Sequence, residues 1–317
     1  MIQSFDKKRK VLVLGGSGFI GMHLIMNLEN EGYLVWNFDL NKSILRRENY
    51  FEGDVLNYDS VLNSLEEIRP DIVINLAAST RLDGTKLYDY KVNFLGVSNL
   101  VRALGELRLE NVHLLHVSTQ FVTSPGYKPV GDADLDPYTV YGEAKAVAEL
   151  ILRASPVSNW LILRPSGVWG SYHPTFNHGL WKVMRYRLFI QPELAVKRSY
   201  IHVDTLAAQL IRFLQADWQK INKGTYYLGN TPADPRTLMD AFSIAVSDRP
   251  CRRMNPKVFR YVFHFFKILS KVGIKLPLDQ QRYDVLTKDY LIDTEKTFEV
   301  IGEVPEDLPT AIRKTFD

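Results

Sequence analysis

Two hydrophobic rhythms alternate along the first half of the chain. Lys10 to Leu14 is a short run of Val and Leu, and Phe19, Ile20, Met22, Leu24, Ile25 and Leu28 then recur at helical spacing. Tyr33 to Phe38, Asp71 to Ala77, Val112 to Val117 and Trp160 to Leu163 repeat the first pattern. Leu87 to Leu107 and Tyr138 to Leu152 repeat the second, and a further helix is expected to begin near Asn57. Continuous apolar strands need cover on both faces, so their alternation with helices predicts an α/β fold with a doubly wound parallel sheet. After about Pro165, Pro, Gly and aromatic residues become frequent and the alternation fades. We therefore expect a doubly wound domain at 1–165 and, at 166–317, mainly a smaller lobe interleaved with the core.

Composition removes several classes of function. Of 317 residues, 46% are hydrophobic and 24% charged, which excludes a mainly disordered or coiled-coil chain. The net charge of +3 gives no electrostatic case for nucleic acid. The single cysteine, Cys251, excludes an internal disulfide and a multi-cysteine metal site. A reducing compartment is therefore allowed, and a cytoplasmic location is expected. Val11 to Leu14 is too short for a signal-peptide core, and the Lys7 to Lys10 run reads as a solvated stretch before a buried strand. No apolar run is long enough to span a bilayer. A helical pattern running to Asp317 leads us to expect that the native chain continues.

Gly15, Gly18 and Gly21 (GGSGFIG) lie between the first strand and the first helix. The first suits a tight turn, the second lets a pyrophosphate approach the backbone, and the third lets helix and sheet pack closely. The free N–H groups and positive dipole end of the helix then face the phosphates. Asp39 ends the second strand, 18 residues beyond Gly21, where a carboxylate can accept from an adenosine ribose and repel a 2′-phosphate. NAD is thus favoured over NADP. Arg46 and Arg47, a few residues on, soften that preference, and a loop-starting carboxylate is the plainer reading of Asp39. Asp54 can serve the adenine edge or cap the helix near Asn57.

Tyr141 and Lys145 (YGEAK) fall one helical turn apart on one face. A free tyrosine titrates near 10, and a nearby ammonium can lower that by roughly one to three pH units. The pair could then exchange a proton with a substrate hydroxyl or carbonyl. Thr119, just past a predicted strand end, can donate to the same oxygen. Ser118 is the alternative, and both hydroxyls could instead satisfy local backbone. The histidines show no ligand spacing, so no metal site is expected; His173 and His178 fall in a Pro-rich segment with no assigned role.

With these parts in order, the chain resembles the extended short-chain dehydrogenase/reductase family, also called NAD-dependent epimerases/dehydratases. The matching segments are GGSGFIG, Asp39, GDV, NLAA, VNFLGVSNL, STQFV, YGEAK, LRPSGVWG and RSYIHVDTLA, in family order over about two-thirds of the chain. The resemblance implies a Rossmann-type sheet with a C-terminal substrate-binding lobe. It implies Tyr141 as acid/base, Lys145 as its activator and a nicotinamide-ribose ligand, and Thr119 as the residue orienting the substrate oxygen. Gly15, Gly18, Phe19, Ile20, Gly21, Asp39, Asp54, Val55, Leu76, Ala77, Ala78, Asn93, Pro165 and Val168 would line the cofactor site. Gln120 would contact substrate beside Thr119, and Arg198 would grip substrate phosphates.

Departures from the family pattern narrow the reaction. Gln120 and Phe121 stand where the sugar dehydratases carry an Asp-Glu pair, which argues against elimination of water. Cys251 lies far from the motifs, which argues against epimerisation beside a ketone. Asn75 replaces a frequent histidine, and Gly167 replaces an asparagine that contacts the diphosphate in many nucleotide-sugar members. NLAAST, STQFV and LRPSGVWG look like deoxysugar 4-ketoreductases; GGSGFIG and RSYIHVD look like 4-epimerases. The expected function is NAD(P)-dependent epimerisation or reduction of a nucleotide sugar by a homodimer. A dehydrogenase of a sterol-like or lipid-linked substrate is the alternative, and a non-catalytic dinucleotide sensor is a third reading.

Residues 257–275 supply the observation behind that alternative. Lys257, Arg260, His264, Lys267, Lys271 and Lys275 recur at steps of three or four, opposite a large aromatic face. Such a helix packs over a cleft, forms a dimer contact, or lies on a membrane surface.

Overall fold

The computed structural model describes residues 9–44, 49–81, 83–174, 179–271 and 280–316. Arg46, Arg47, His178, Lys275 and the first residues of the basic N-terminal run lie outside them. The chain divides into two compact units. The first comprises Met1–Val168, Ile201–Gly229 and Asp293–Pro305; the second comprises Trp169–Tyr200, Asn230–Ile292 and Glu306–Asp317.

The first unit is the expected doubly wound sheet. Its strands are β1 (Lys10–Leu14), β2 (Leu34–Asp39), β3 (Tyr50–Glu52), β4 (Ile72–Asn75), β5 (His113–Val117), β6 (Trp160–Pro165) and a seventh, Thr225–Leu228. All seven are parallel, in the order Thr225–Leu228, β6, β5, β4, β1, β2, β3. The order reverses between β1 and β4; Leu14 at the end of β1 aligns with Phe38 of β2 on one side and with Asn75 of β4 on the other. A crevice at the carboxyl ends of the strands forms at such a reversal.

Alternate residues of each strand serve opposite layers, as the two-residue period of a strand requires. Val11, Val13, Ile74, Leu115, Val117 and Leu163 meet α1 (Phe19–Asn30) through Leu24, Ile25 and Leu28, and the helix Val203–Gln215 through Leu206, Leu210 and Phe213. Leu12, Leu14, Val73, Leu114 and Ile162 meet α2 (Tyr58–Ile68), α3 (Lys91–Glu106) and α4 (Val140–Ala154) through Leu65, Leu100, Leu104, Ala148 and Leu152. Asn57 caps α2 by accepting from Ser60 N, and Thr139 caps α4 by accepting from Gly142 N.

The second unit is helical. It holds Pro235–Ser247, Pro256–Lys271, Gln280–Thr287 and Leu308–Phe316, with a parallel pair of short strands, Ile190–Pro192 and Arg252–Met254. Trp169, Trp181, Met184, Leu238 and Phe242 form its core, with the Trp181 and Phe242 rings 4.9 Å apart edge to face. Cys251 is buried there as a free thiol. No helix among the described residues is long and apolar enough to cross a membrane.

Candidate active site

The glycine turn sits at the reversal of strand order. Gly15 adopts φ +82°, and its N–H donates to Phe38 O at 2.8 Å. A side chain there would be strained and would meet Ala77 N at 2.7 Å, so the turn and the exit of β4 need glycine to lie this close. A Cβ on Gly21 would meet Gly15 O at 2.5 Å, which is the close helix–turn packing expected of the third glycine. Gly18 is the exposed N-cap of α1. No side chain caps that helix, and its first turn, beginning at Phe19 and Ile20, contains no acid. Its N–H groups and dipole are thus left for an anion.

Asp39 is held over this turn by two backbone donors, Ser17 N to Oδ2 and Asn41 N to Oδ1, each at 3.0 Å. A carboxylate accepts about four hydrogen bonds, so both oxygens retain capacity for ribose hydroxyls. Asp54 accepts from Leu56 N at 2.8 Å and so closes its own turn, while the capping of α2 falls to Asn57. Val55 is buried beneath Gly96, and its carbonyl accepts from Asn99. Leu76, Ala77 and Ala78 leave the end of β4 half-exposed. Asn93 is buried and clamps the same segment, accepting from Ser79 N at 2.7 Å and donating to Ser79 O at 3.1 Å. Its amide therefore positions backbone at the crevice. Pro165 ends β6 and Val168 is half-buried. Between them, Ser166 Oγ is buried with no hydrogen-bond partner among the described residues.

These features fit a dinucleotide. A glycine cradle, an uncapped helix N-terminus, a carboxylate with spare acceptors and an orphaned hydroxyl occur along one crevice, and each suits a different part of NAD.

Tyr141 and Lys145, the expected acid–base pair, lie on α4. Tyr141 is 9% exposed and packed by the Tyr90 and Phe121 rings, with the Thr119 side chain beside its phenol. The expected lowering of its pKa is corrected by the structure. Burial pushes the phenol up to about 12, the Thr119 side chain works against this, and the Tyr90 phenol adds to it. The side chains that act on it, Thr119 and Tyr90, are neutral, and the Lys145 charge is not among them. The Lys145 ammonium instead donates to Val117 O at 2.6 Å, and burial pulls that amine down to about 8 against the opposing charge of Glu149.

Several residues that support the candidate site were missed in the sequence. Glu149, fully buried one turn beyond Lys145, accepts from Ser118 Oγ at 2.6 Å, Arg164 Nε at 3.0 Å and Arg164 Nη2 at 2.6 Å. Ser118 is thus tied into the network below the site, whereas Thr119 faces Tyr141. An acid on the apolar side of a helix was the available signal, since such a group is stable only when paired. His116 is buried against Asn75 at 3.2 Å and is kept neutral by burial and by the charge of Lys145. Gly142 has no room for a side chain, because a Cβ would lie 2.2 Å from Phe121 O. It brings the start of α4, and with it Tyr141, against the segment carrying Thr119. Gln120 is buried, and its carbonyl accepts from Thr123.

Arg198 belongs to the second unit. It is buried there and donates through Nη1 to Val285 O and Lys288 O at 3.1 and 3.2 Å, at the end of the helix Gln280–Thr287. A cation suits the negative end of a helix, so the guanidinium has a structural use independent of substrate. His173 is held neutral by burial, which pushes it down to about 4. Among the described residues no group of His, Cys, Asp and Glu could hold a metal ion.

The glycine turn, Asp39 and the Tyr141–Lys145 helix define an NAD-dependent enzyme of Rossmann type. Residues 11–229 match the NAD dependent epimerase/dehydratase family, and the chain belongs to it. It is 28% identical to the dTDP-4-dehydrorhamnose reductase of Aggregatibacter actinomycetemcomitans over 96% of this chain and 97% of that protein. It is 30% identical to a 3 beta-hydroxysteroid dehydrogenase/Delta 5-->4-isomerase of Mycobacterium tuberculosis, over 55% of this chain and half of that protein. The fold is that of the UDP-glucose 4-epimerase of Thermotoga maritima, with TM-score 0.72, 18% identity and 97% of each chain covered.

Proposed function

We propose that the protein reduces a keto group on a nucleotide-activated sugar, with Tyr141 as the proton donor. The observation that carries this reading is the burial of Tyr141 among the Tyr90 and Phe121 rings beside Thr119, which holds its phenol above its ordinary pKa. A tyrosine near 12 is protonated at neutral pH. It is suited to give a proton to a carbonyl oxygen that is becoming an alcohol, which is the reductive direction. Thr119 orients that oxygen, and Lys145 places a positive charge below the site. Bound NAD(H) supplies the hydride. The absence of an acidic pair after Thr119 leaves no group for dehydration at that position.

The relatives divide in a way that supports a sugar substrate. The match to the steroid dehydrogenase covers only about half of either chain, whereas that to the sugar reductase spans both units. Epimerisation is the second reading. It is favoured by the 4-epimerase fold match and the GGSGFIG and RSYIHVD segments, and it needs NAD retained between turnovers. Arg198 as the phosphate contact, Gln120 as a further substrate contact, a homodimer and a cytoplasmic location complete the proposal.

The test is to denature the purified protein and assay the supernatant for NAD(H), then follow NADH oxidation with dTDP-4-keto-6-deoxysugars. An empty site with NADH turnover that Tyr141→Phe abolishes supports the reductase. Near-stoichiometric bound NAD with interconversion of sugar epimers supports the second reading. Undiminished turnover by Tyr141→Phe overturns the assignment of Tyr141.

A further inference from the structure

The helix Pro256–Lys271 is only half buried by its own unit. Phe259 and Phe263 turn inward and stack on Tyr283, with ring centres 5.9 and 4.0 Å away. On another side, Val258, Tyr261, Phe265 and Ile268 are 49, 69, 58 and 64% exposed. They are spaced by three, four and three residues, which places them on one stripe. Lys257, Arg260, His264 and Lys267 each precede one of these residues in sequence, so an exposed basic stripe runs beside the apolar one. The surrounding segment is biased the same way. Residues 249–278 contain eight Lys and Arg and no acid, and without them the chain's +3 becomes −5.

We infer that this face docks on an anionic lipid surface. Exposed aromatic and branched side chains can enter the boundary between headgroups and acyl chains, while the adjacent cations meet lipid phosphates. A second copy of the chain fits less well. Pairing stripe to stripe would set four basic positions against four others, with no acid on either helix to compensate. The inference rests on this helix alone and is independent of the sugar reaction.

The test is co-sedimentation of the whole protein with phosphatidylcholine vesicles, with and without about one-third phosphatidylglycerol. Binding should require the anionic lipid and disappear at high salt, because the attraction is screened. Lys257→Glu and Arg260→Glu should each weaken it at least about fivefold, the value of one cation near such a surface. Phe265→Glu and Ile268→Glu should abolish it, leaving NADH binding and the thermal unfolding midpoint unchanged. Absence of sedimentation at low salt overturns the inference, as does equal binding by wild type and the Phe265 and Ile268 variants. Conversion of a dimer to a monomer by those variants, with no vesicle binding, would instead assign the face to self-association.

Discussion

Lys145 Nζ donates to Val117 O, the last carbonyl of β5, two residues before Thr119. One hydrogen bond thus ties α4, which bears Tyr141, to the end of the strand that leads into Thr119. It also fixes the Lys145 charge in a dry setting, where burial brings its loss of charge down to about 8.

On the proposed reading of Lys145, that value makes cofactor binding depend on pH. If the Lys145 ammonium holds a ribose hydroxyl, NADH affinity falls as pH rises through about 8, where the group loses its proton. Lys145→Met should bind more weakly at pH 7 and show a flat profile from pH 7 to 9. A wild-type titration series that stays flat would remove Lys145 from the cofactor site.

Tyr141→Phe removes only the hydroxyl and keeps the ring among Tyr90 and Phe121. We expect kcat to fall by roughly 10²- to 10⁴-fold, the usual contribution of a positioned acid. The dissociation constant for NADH, measured by fluorescence, should change little.

If Asp39 receives the adenosine ribose, its carboxylate selects against a 2′-phosphate. Asp39→Ala should raise the preference for NADPH over NADH by about tenfold, corresponding to roughly 1.4 kcal/mol of repulsion removed. The ratio of kcat/KM values with the two cofactors reads this directly. The turn at Ser17 and Asn41 loses two hydrogen bonds in the same variant, so both affinities should also drop somewhat.

Glu149→Gln would leave Arg164 charged and buried with its compensating carboxylate gone. A cost of about 3–5 kcal/mol is expected from urea unfolding. The double change Glu149→Met with Arg164→Met should cost less than Glu149→Gln, since both charges are removed together. A single variant as stable as wild type would mean that the pair contributes no net stability.

His113 makes the first unit acid-sensitive. Burial, followed by the Arg9 charge, lowers its pKa to about 4, and its ring stacks on Trp218 at 4.0 Å. The unfolded chain binds the proton near 6.5 and the folded one near 4. The His113 contribution is therefore complete above pH 6.5 and is lost as pH falls through about 4. His113→Phe should flatten the melting temperature over that interval.

The sheet was legible because its inner strands are continuous Val, Ile and Leu runs, and the glycine turn and Tyr141 because their spacing carries their chemistry. Thr225–Leu228 was not legible. It is a four-residue edge strand that follows the helices Val203–Gln215 and Trp218–Ile221, about sixty residues after β6, so no local rhythm announces its return to β6. The Tyr141 pKa failed for a different reason. Spacing places Lys145 one turn away, but only the structure shows its ammonium hydrogen-bonded to Val117 O and the phenol buried among neutral groups. Arg198 was read from its motif, which does not reveal the helix end that it caps.

The three-segment construction of the first unit has a consequence for synthesis. When residues up to Val168 have left the ribosome, β6 is complete but Thr225–Leu228, its partner along one edge, has not yet been made. The nascent chain therefore carries an open edge of Val- and Leu-rich sheet until about sixty more residues have followed. During that interval it is open to pairing with other chains, and a holdase chaperone acting on the nascent polypeptide should raise the yield more than one acting after release.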